Sequence, residues 1–525
     1  MNAGTSRPDP AAPGAALDET TEPRAALDAL GDDPPPLHVA AAGAGLTGQI
    51  RRGMAWSGGS RLVGQLLQLA SSIALARLLT PREFGLAATV YLFAGVASLL
   101  AEMGIGSAVV RKRDLRAVDA ATAFWVNALG GVALTVLLVA LSPAIARIYD
   151  SPELVGLMWL IALRFCLSLH VVPLALLERS MNFSRIARID VLAFVLGATA
   201  AIAAAFAGFG AYSLVVGPLV QATVQSTLFM WTARFVPRSF IDRRAAADLW
   251  AYSSRYTAAN LISYFRYNAD GFLVGKVLGQ EQLGYYGRGM VLVSLPLQQL
   301  TYVLHRVMLP VFTRLRDDDA RLRWGYGVSL GGIAVLAGSG LSFVAAAADD
   351  IVPVVWGDQW RPVIPVVVWL AVAGWFQVLS SPTGWLAELE GRTGLLLKLT
   401  VFTASTTVVG LVIGVQDGIV GVARALAVTG AINLVPSLWL AAHLLSTSVL
   451  GGLRALVPGI AAAAAVAAAV TRVDAATTGL PVPVELLLKA AAACIAVVVT
   501  VLVVDRVCGT GLVAAARVLA GRTAA

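Results

Sequence analysis

Long apolar runs, separated by short clusters of arginine and acid, organise this chain. The run from Phe84-Gly85 to Lys112 is almost wholly apolar, carries one internal acid, Glu102, and ends in Arg111-Lys112-Arg113. That pattern is a membrane-spanning helix closed by a cytoplasmic stop. Runs long enough to cross a hydrocarbon core of about 30 Å predict spans near 60–79, 84–110, 118–142, 152–175, 187–208, 211–232, 249–274, 284–312, 324–346, 361–380, 394–414, 419–445, 450–471 and 484–506. The expected fold is an all-α integral membrane protein of about fourteen transmembrane helices.

The connecting segments orient these spans, because cationic side chains are retained on the cytoplasmic side of short loops. With residue 50 inside, the inner loops hold Arg111, Lys112, Arg113 and Arg116; Arg179, Arg185 and Arg188; Arg234, Arg238, Arg243 and Arg244; Arg314, Arg316, Arg321 and Arg323; and Arg392 with Lys398. The outer loops hold only Arg77, Arg82, Arg147, Lys276, Arg361 and Arg472, among acids that include Asp150, Glu153, Glu281, Asp349, Asp350, Asp358 and Asp417. Both termini are therefore expected in the cytoplasm.

The chain also repeats itself. An offset of 199 residues lays Arg77-Leu78-Leu79-Thr80-Pro81-Arg82-Glu83-Phe84-Gly85 over Lys276-Val277-Leu278-Gly279-Gln280-Glu281-Gln282-Leu283-Gly284, so that cation, leucine, turn and glycine coincide. Six helices separate the copies, an even number, so both have the same orientation and the repeat axis runs along the membrane normal. The domain organisation that follows is a disordered cytoplasmic tail over 1–50, a six-helix bundle over 51–232, a basic cytoplasmic linker over 233–248, a second six-helix bundle over 249–445, and two added helices with a tail over 446–525. Helix thirteen is nearly pure alanine and valine from Ala461 to Val470 and reads as packing.

Composition agrees with the pattern: 58% hydrophobic residues, 13% charged and a mean hydropathy of +0.77, against roughly one-quarter charged in a soluble domain. The net charge of +8 lies in loops that meet anionic lipid headgroups, which accounts for it without nucleic acid. Residues 1–48 are rich in Ala, Pro, Gly and acid and lack the apolar core of a secretory signal. Cys166, Cys494 and Cys508 show no paired spacing, and His38, His170, His305 and His443 show no metal-ligand spacing, so neither a disulfide framework nor a metal site is expected. No Walker lysine motif, partnered nucleophile or cofactor motif is present, which leaves an ion gradient, the membrane potential or the substrate gradient as the energy source.

Charges inside the spans carry the candidate chemistry, since an ionisable group at bilayer depth is costly unless paired or hydrated. In helix seven, Arg255, Ala259, Ser263, Arg266 and Asp270 follow one another at helical spacing and share a face. Arg266 and Asp270, four residues apart, could also neutralise each other. Helix eight adds Arg288 toward its outer end and Arg306 toward its inner end, with Pro296 between them as a kink. Arg164 sits near the centre of helix four among apolar neighbours. Glu102 and Asp270 are the candidate ion-coupling or pairing acids. Arginines outnumber acids here, which favours an anionic substrate, because the planar guanidinium fork matches phosphate or carboxylate oxygens. Arg164, Arg255, Arg266, Arg288 and Arg306 are the candidate substrate-binding residues.

Three stretches carry a family resemblance: ARLLTPREFGLAATVYLFAGVASLLAEMGIGSAVVRKRDL (76–115), LERSMNFSRIARIDV (177–191) and YNADGFLVGKVLGQEQLGYYGRGMVLVSLPLQQLTYVLHRVMLPVFTRLRDD (267–318). They resemble the polysaccharide exporters, or Wzx-type flippases, of the multidrug/oligosaccharidyl-lipid/polysaccharide exporter superfamily, over roughly residues 52–445. The resemblance implies a V-shaped, MATE-like pair of six-helix bundles that moves a polyprenyl-diphosphate-linked oligosaccharide across a bacterial plasma membrane. The partners it implies are that lipid-linked glycan, the bilayer, and a glycan polymerase with glycosyltransferases, with no cofactor. Rival readings are a peptidoglycan lipid-precursor flippase, a drug/cation antiporter using Glu102 and Asp270, and a membrane glycan polymerase. The antiporter needs an acid-rich cleft, and the polymerase needs a large outer loop.

Overall fold

The computed structural model describes residues 63–102, 105–112, 114–315, 318–477 and 479–508, and of these the side chains at 102, 243–256, 258–259, 302–305, 307, 309–310, 393 and 507–508, which include Glu102, Arg255 and His305, lie outside the description. The expected tail over 1–50 and the inner-loop residues Arg113 and Arg316 also lie outside it. The described residues form helices and contain no strand. The first half holds α1 (Val63–Leu78), α2 (Pro81–Glu102), α3 (Ile105–Arg111), α4 (Ala117–Ile148), α5 (Leu154–Leu167), α6 (Val171–Arg179), α7 (Phe183–Phe206) and α8 (Ala211–Ala233). The second half holds α9 (Arg243–Val277), α10 (Gln280–Leu315), α11 (Asp319–Ala346), α12 (Ala348–Trp356), α13 (Ile364–Leu379), α14 (Ser381–Leu389), α15 (Thr393–Gly414) and α16 (Gly418–Leu444), followed by α17 (Val449–Ala476) and α18 (Val482–Cys508).

Among the described residues, nine runs are long and apolar enough to cross a membrane, or ten with α5 and α6 taken as one bent span. The difference from the fourteen read in the sequence has three sources. α1 has a described length below the 18 residues of a full candidate span. α9 and α10, 35 and 36 residues long, have the length but carry too many polar positions. α15 and α16 fall within one 51-residue run, Gly394–Leu444, although they fold back on each other. Thr406 bonds Asn433 at 2.6 Å, and Gly414 meets Gly421, so the paired positions converge toward the turn as they do in an antiparallel hairpin.

The expected fourth span is broken. α5 and α6 meet at 42°, and side chains take up the backbone groups that the break releases. Ser226 accepts from the Leu169 N–H at 3.1 Å and donates to the Leu167 carbonyl, while Asn127 donates to the Ser168 carbonyl at 2.9 Å. A break inside hydrocarbon persists only where neighbours satisfy it in this way. By contrast, α10 runs as one helix through Pro296.

The halves meet where α2 packs against α10. A β-carbon placed on Gly85 would sit 1.6 Å from the Gln280 carbonyl oxygen, and one placed on Gly284 would sit 1.8 Å from that of Pro81. The positions are related by the repeat: 284 − 85 and 280 − 81 both equal 199. The contact is thus reciprocal, each glycine receiving the backbone of the other copy, as at an interface with local two-fold symmetry. Only small residues let two membrane helices approach so closely. Thr89 adds a buried hydrogen bond to Gln280 at 2.7 Å. The neighbouring helix α9 is tied to α2 as well, by Tyr264, whose hydroxyl donates to the Leu92 carbonyl at 2.8 Å.

The last two helices pack closely on the rest. α17 lies along α11, where Gly459 meets Ala334 and Ser342 donates to the Ala463 carbonyl at 2.7 Å. Gly284→Val is expected to force α2 and α10 apart and to cost at least the roughly 1–3 kcal/mol of ordinary overpacking. Gly130→Ala, inside α4 with open space around it, is expected to be neutral or stabilising by up to about 1 kcal/mol. Thermal unfolding in detergent distinguishes the two.

Candidate functional site

Beside the α2–α10 contact lies a cavity of about 420 Å³ walled by α1, α2, α7, α8 and α10. Its polar lining is Gln68, Ser71, Ser72, Tyr91, Gln221 and Arg288. Arg288 is the one cation among the residues that line it. Its side chain reaches from α10 to α1, where it donates to the Ser72 hydroxyl at 2.7 Å. The guanidinium lies 3.8 Å over the Phe84 ring, with Trp356 and Trp360 each at 5.8 Å. Arg288 is only 9% exposed, and no carboxylate among the described residues is within ion-pair distance of it. Stacking on desolvated rings supplies about 2 kcal/mol, well short of the several kcal/mol that burying an ion costs. The group is therefore poised to gain from an anion entering the cavity.

The repeat shows what stands at the positions that match this cavity in the second half. The counterpart of Ser71, 199 residues on, is Asp270, and the counterpart of Ala87 is Tyr286. There the Tyr286 hydroxyl donates to the Asp270 carboxylate, with Tyr286 buried. Two large polar side chains bond to each other where the first half has two small ones lining a space. Asp270 is thus engaged with α10 and forms no ion pair with Arg266 among the described residues.

The other arginines read from the sequence do not all converge on this cavity. Arg164, half-buried on α5, is within electrostatic reach of Tyr91, which lines the cavity, and of His170. Tyr91 is fixed by donating to the Leu214 carbonyl, and His170 by Ser226 at 3.2 Å. Arg266 faces a separate groove between α9 and α15. Arg306 is exposed on the far half of α10. Arg255 and Glu102 have side chains outside the described residues. Gln68, Ser71, Ser72, Tyr91 and Gln221 carry no signal in the sequence, because uncharged polar residues are common in transmembrane helices and nothing in their spacing marks them.

Beside Arg288, α12 and the turn that follows it close over the turn between α1 and α2. Arg77 donates to the Val354 carbonyl, Gln359 to the Ala76 and Leu79 carbonyls at 2.9 and 3.2 Å, and the Trp360 indole N–H to the Ala76 carbonyl at 2.9 Å. Trp360 is wholly buried against Phe84 and Tyr285, with ring centres 5.4 and 5.9 Å away. This strap of the second half thus clasps the α1–α2 turn of the first. The segment falls between the spans expected at 324–346 and 361–380. Its root is pinned by a second feature that the sequence did not show: Lys489 on α18 pairs with Asp350, Asp474 and Glu485.

The polysaccharide biosynthesis protein family matches residues 74–365, more than half of the chain. The chain belongs to that family. Among its relatives, the lipopolysaccharide biosynthesis protein WzxC of Escherichia coli (strain K12) is 25% identical over 73% of this chain and 79% of its own length. The teichuronic acid biosynthesis protein TuaB of Bacillus subtilis (strain 168) is 24% identical over 76% and 84%. Among solved structures, the lipid II flippase MurJ in an inward closed conformation superposes with a TM-score of 0.67 at 10% identity, covering 86% of this chain and 99% of that one. An inward-facing MATE-family multidrug resistance transporter of the MOP superfamily superposes at 0.54 and 19% identity, covering 73% and 94%. The Wzx-type resemblance read in the sequence holds in the family match and in the WzxC relative. The fold is the one shared with these MurJ and MOP-superfamily MATE transporters.

Two substitutions check the closure. Trp360→Phe keeps the ring but leaves the Ala76 carbonyl one donor short, and is expected to cost about 1–3 kcal/mol. Lys489→Met leaves three carboxylates, whose oxygens lie within 4.8 Å of one another, without their cation, and is expected to cost about 3–5 kcal/mol. Both are read as unfolding midpoints of the detergent-solubilised protein.

Proposed function

We propose that this protein is a flippase for lipid-linked oligosaccharides, moving a polyprenyl-diphosphate-linked glycan across the bacterial plasma membrane for surface polysaccharide synthesis. The observation that carries this reading is Arg288, a buried cation without a carboxylate among the described residues, facing a cavity whose remaining polar groups are the hydroxyls and amides of Gln68, Ser71, Ser72, Tyr91 and Gln221 set in an apolar wall. A diphosphate satisfies the guanidinium through paired charge-assisted hydrogen bonds, and hydroxyl-rich sugar is matched by Gln68, Ser71, Ser72 and Gln221.

In this reading the six-helix bundles 51–232 and 249–445, joined by the linker 233–248, alternate access about the reciprocal α2–α10 contact, and both termini are cytoplasmic. Residues 446–525 add the last two helices. Arg164, Arg255, Arg266, Arg288 and Arg306 contact the substrate along its path. Glu102 and Asp270 serve as coupling or pairing acids, with Asp270 exchanging its bond to Tyr286. The glycan polymerase and glycosyltransferases act before and after the transfer. The strength of the MurJ superposition favours a peptidoglycan lipid precursor as the second reading, since its diphosphate would satisfy Arg288 equally. A cation antiporter is disfavoured by the lone charge of the cavity being positive.

The test is a deletion strain whose polyprenyl-diphosphate glycans are extracted and assayed for leaflet accessibility. Accumulation of a glycan intermediate in the cytoplasmic leaflet is the expected result, and its mass distinguishes a polysaccharide repeat unit from the peptidoglycan precursor. Unchanged glycan lipids with altered drug resistance would overturn the reading in favour of the antiporter. In the complemented strain, Arg288→Gln is expected to lower export by about tenfold or more, corresponding to about 1.4 kcal/mol of lost anion binding. Arg288→Lys is expected to restore part of it, because a lysine keeps the charge but loses the planar fork.

A further inference from the structure

Arg266 stands where a lone cation is costly. It lies eleven residues before the end of α9 at Val277, about 16 Å along the axis at roughly 1.5 Å per residue, and so near the middle of a hydrocarbon core about 30 Å thick. Its guanidinium rests over the ring of its neighbour Tyr267 at 3.9 Å. Among the described residues no carboxylate lies within ion-pair distance, since Asp270, one turn on, receives the Tyr286 hydroxyl. Arg266 opens instead onto a groove of about 650 Å³ between α9 and α15, walled by Phe265, Phe272, Leu273, Ala404 and Val408 and reaching Lys276 at its end.

We propose that this groove is a binding site for an isoprenoid diphosphate, its chain against the apolar wall and its diphosphate at Arg266. The inference rests on the flippase reading and adds a second station, built on helices other than α1, α2, α7, α8 and α10 of the Arg288 cavity. The wall chemistry takes a hydrocarbon chain. The depth of the cation selects the headgroup, because an ion at mid-bilayer is tolerated only with a counter-charge or water beside it. The phosphate of a resident phospholipid stays at the interface, near the level of Lys276, whose ammonium is already paired with Asp150 at 3.2 Å. A diphosphate in transit between leaflets passes the level of Arg266. Ala404 on α15 and Ala269 on α9 line the groove with small side chains that leave it open, so bulk at either position closes it without touching Arg288.

The experiment uses the full-length protein in phosphatidylcholine nanodiscs with a polyprenyl diphosphate carrying a photoactivatable group in its chain, followed by peptide mapping. Cross-links are expected in 265–276 and 404–408, displaced by unlabelled polyprenyl diphosphate. Arg266→Gln and Ala404→Trp are each expected to reduce them by about tenfold, and Arg266→Lys to retain most of them. Cross-links elsewhere only, or cross-links unaffected by Arg266→Gln, overturn the site. A photoactivatable phosphatidylglycerol that labels the same peptides and resists displacement also overturns it, in favour of a resident lipid. Displacement on the unsubstituted protein decides the matter even if a variant fails to fold. The leaflet assay of the deletion strain is independent: cytoplasmic accumulation of the glycan lipid with an unlabelled groove removes the groove and leaves the flippase reading standing.

Discussion

The close approach of α2 and α10 is the constraint on which the rest of the structure depends. Gly85 and Gly284 present bare backbone to the carbonyls of Gln280 and Pro81, and any side chain at either position would part the two halves. Inside a bilayer no hydrophobic force drives helices together, so small residues that allow backbone contact and a few buried hydrogen bonds must do so. Here the duplicated segment supplies both sides of the contact. A repeat that packs on its own copy needs only one solution to the packing problem, used twice.

Around that fixed point the two copies have diverged in what they place beside it. The first copy leaves Ser71 and Ala87 small and receives Arg288 from the second. The second copy places Asp270 and Tyr286 at the matching positions and bonds them to each other. The same backbone symmetry thus yields a cationic cavity on one side and a closed hydrogen bond on the other. The strap built from α12 and its following turn links that cavity to one end of the molecule, because Trp356 and Trp360 flank Arg288 while Trp360 and Gln359 hold the α1–α2 turn. α17 and α18 hold the root of the strap through Lys489, which joins Asp474 and Glu485 of these two helices to Asp350.

Much of this architecture was legible from residue order. Apolar runs of membrane-crossing length and their basic connections give an all-α membrane protein, because unsatisfied backbone cannot sit in hydrocarbon and only helices or closed barrels avoid it. The offset of 199 residues identified the copies, and its glycines mark the contact that joins them. The stretches 76–115 and 267–318 carried the family. The break between α5 and α6 was not legible, because Leu167 to His170 is apolar enough to continue a helix and the groups that satisfy the break, Asn127 and Ser226, come from distant positions.

The sequence by itself determined the class of fold, the repeat and the excess of arginine over acid in the spans, since these depend on composition and spacing along one chain. Only the tertiary structure decided which arginine meets which surface: Arg288 a cavity with hydroxyl and amide groups in its wall, Arg266 an apolar groove, Arg164 the neighbourhood of Tyr91 and His170. Helical spacing places residues on a face but does not say what that face meets. Arg266 and Asp270 share a stripe, yet the carboxylate turns to Tyr286 and the guanidinium to the groove, because partners at bilayer depth are chosen by the helices alongside, which lie far away in the chain.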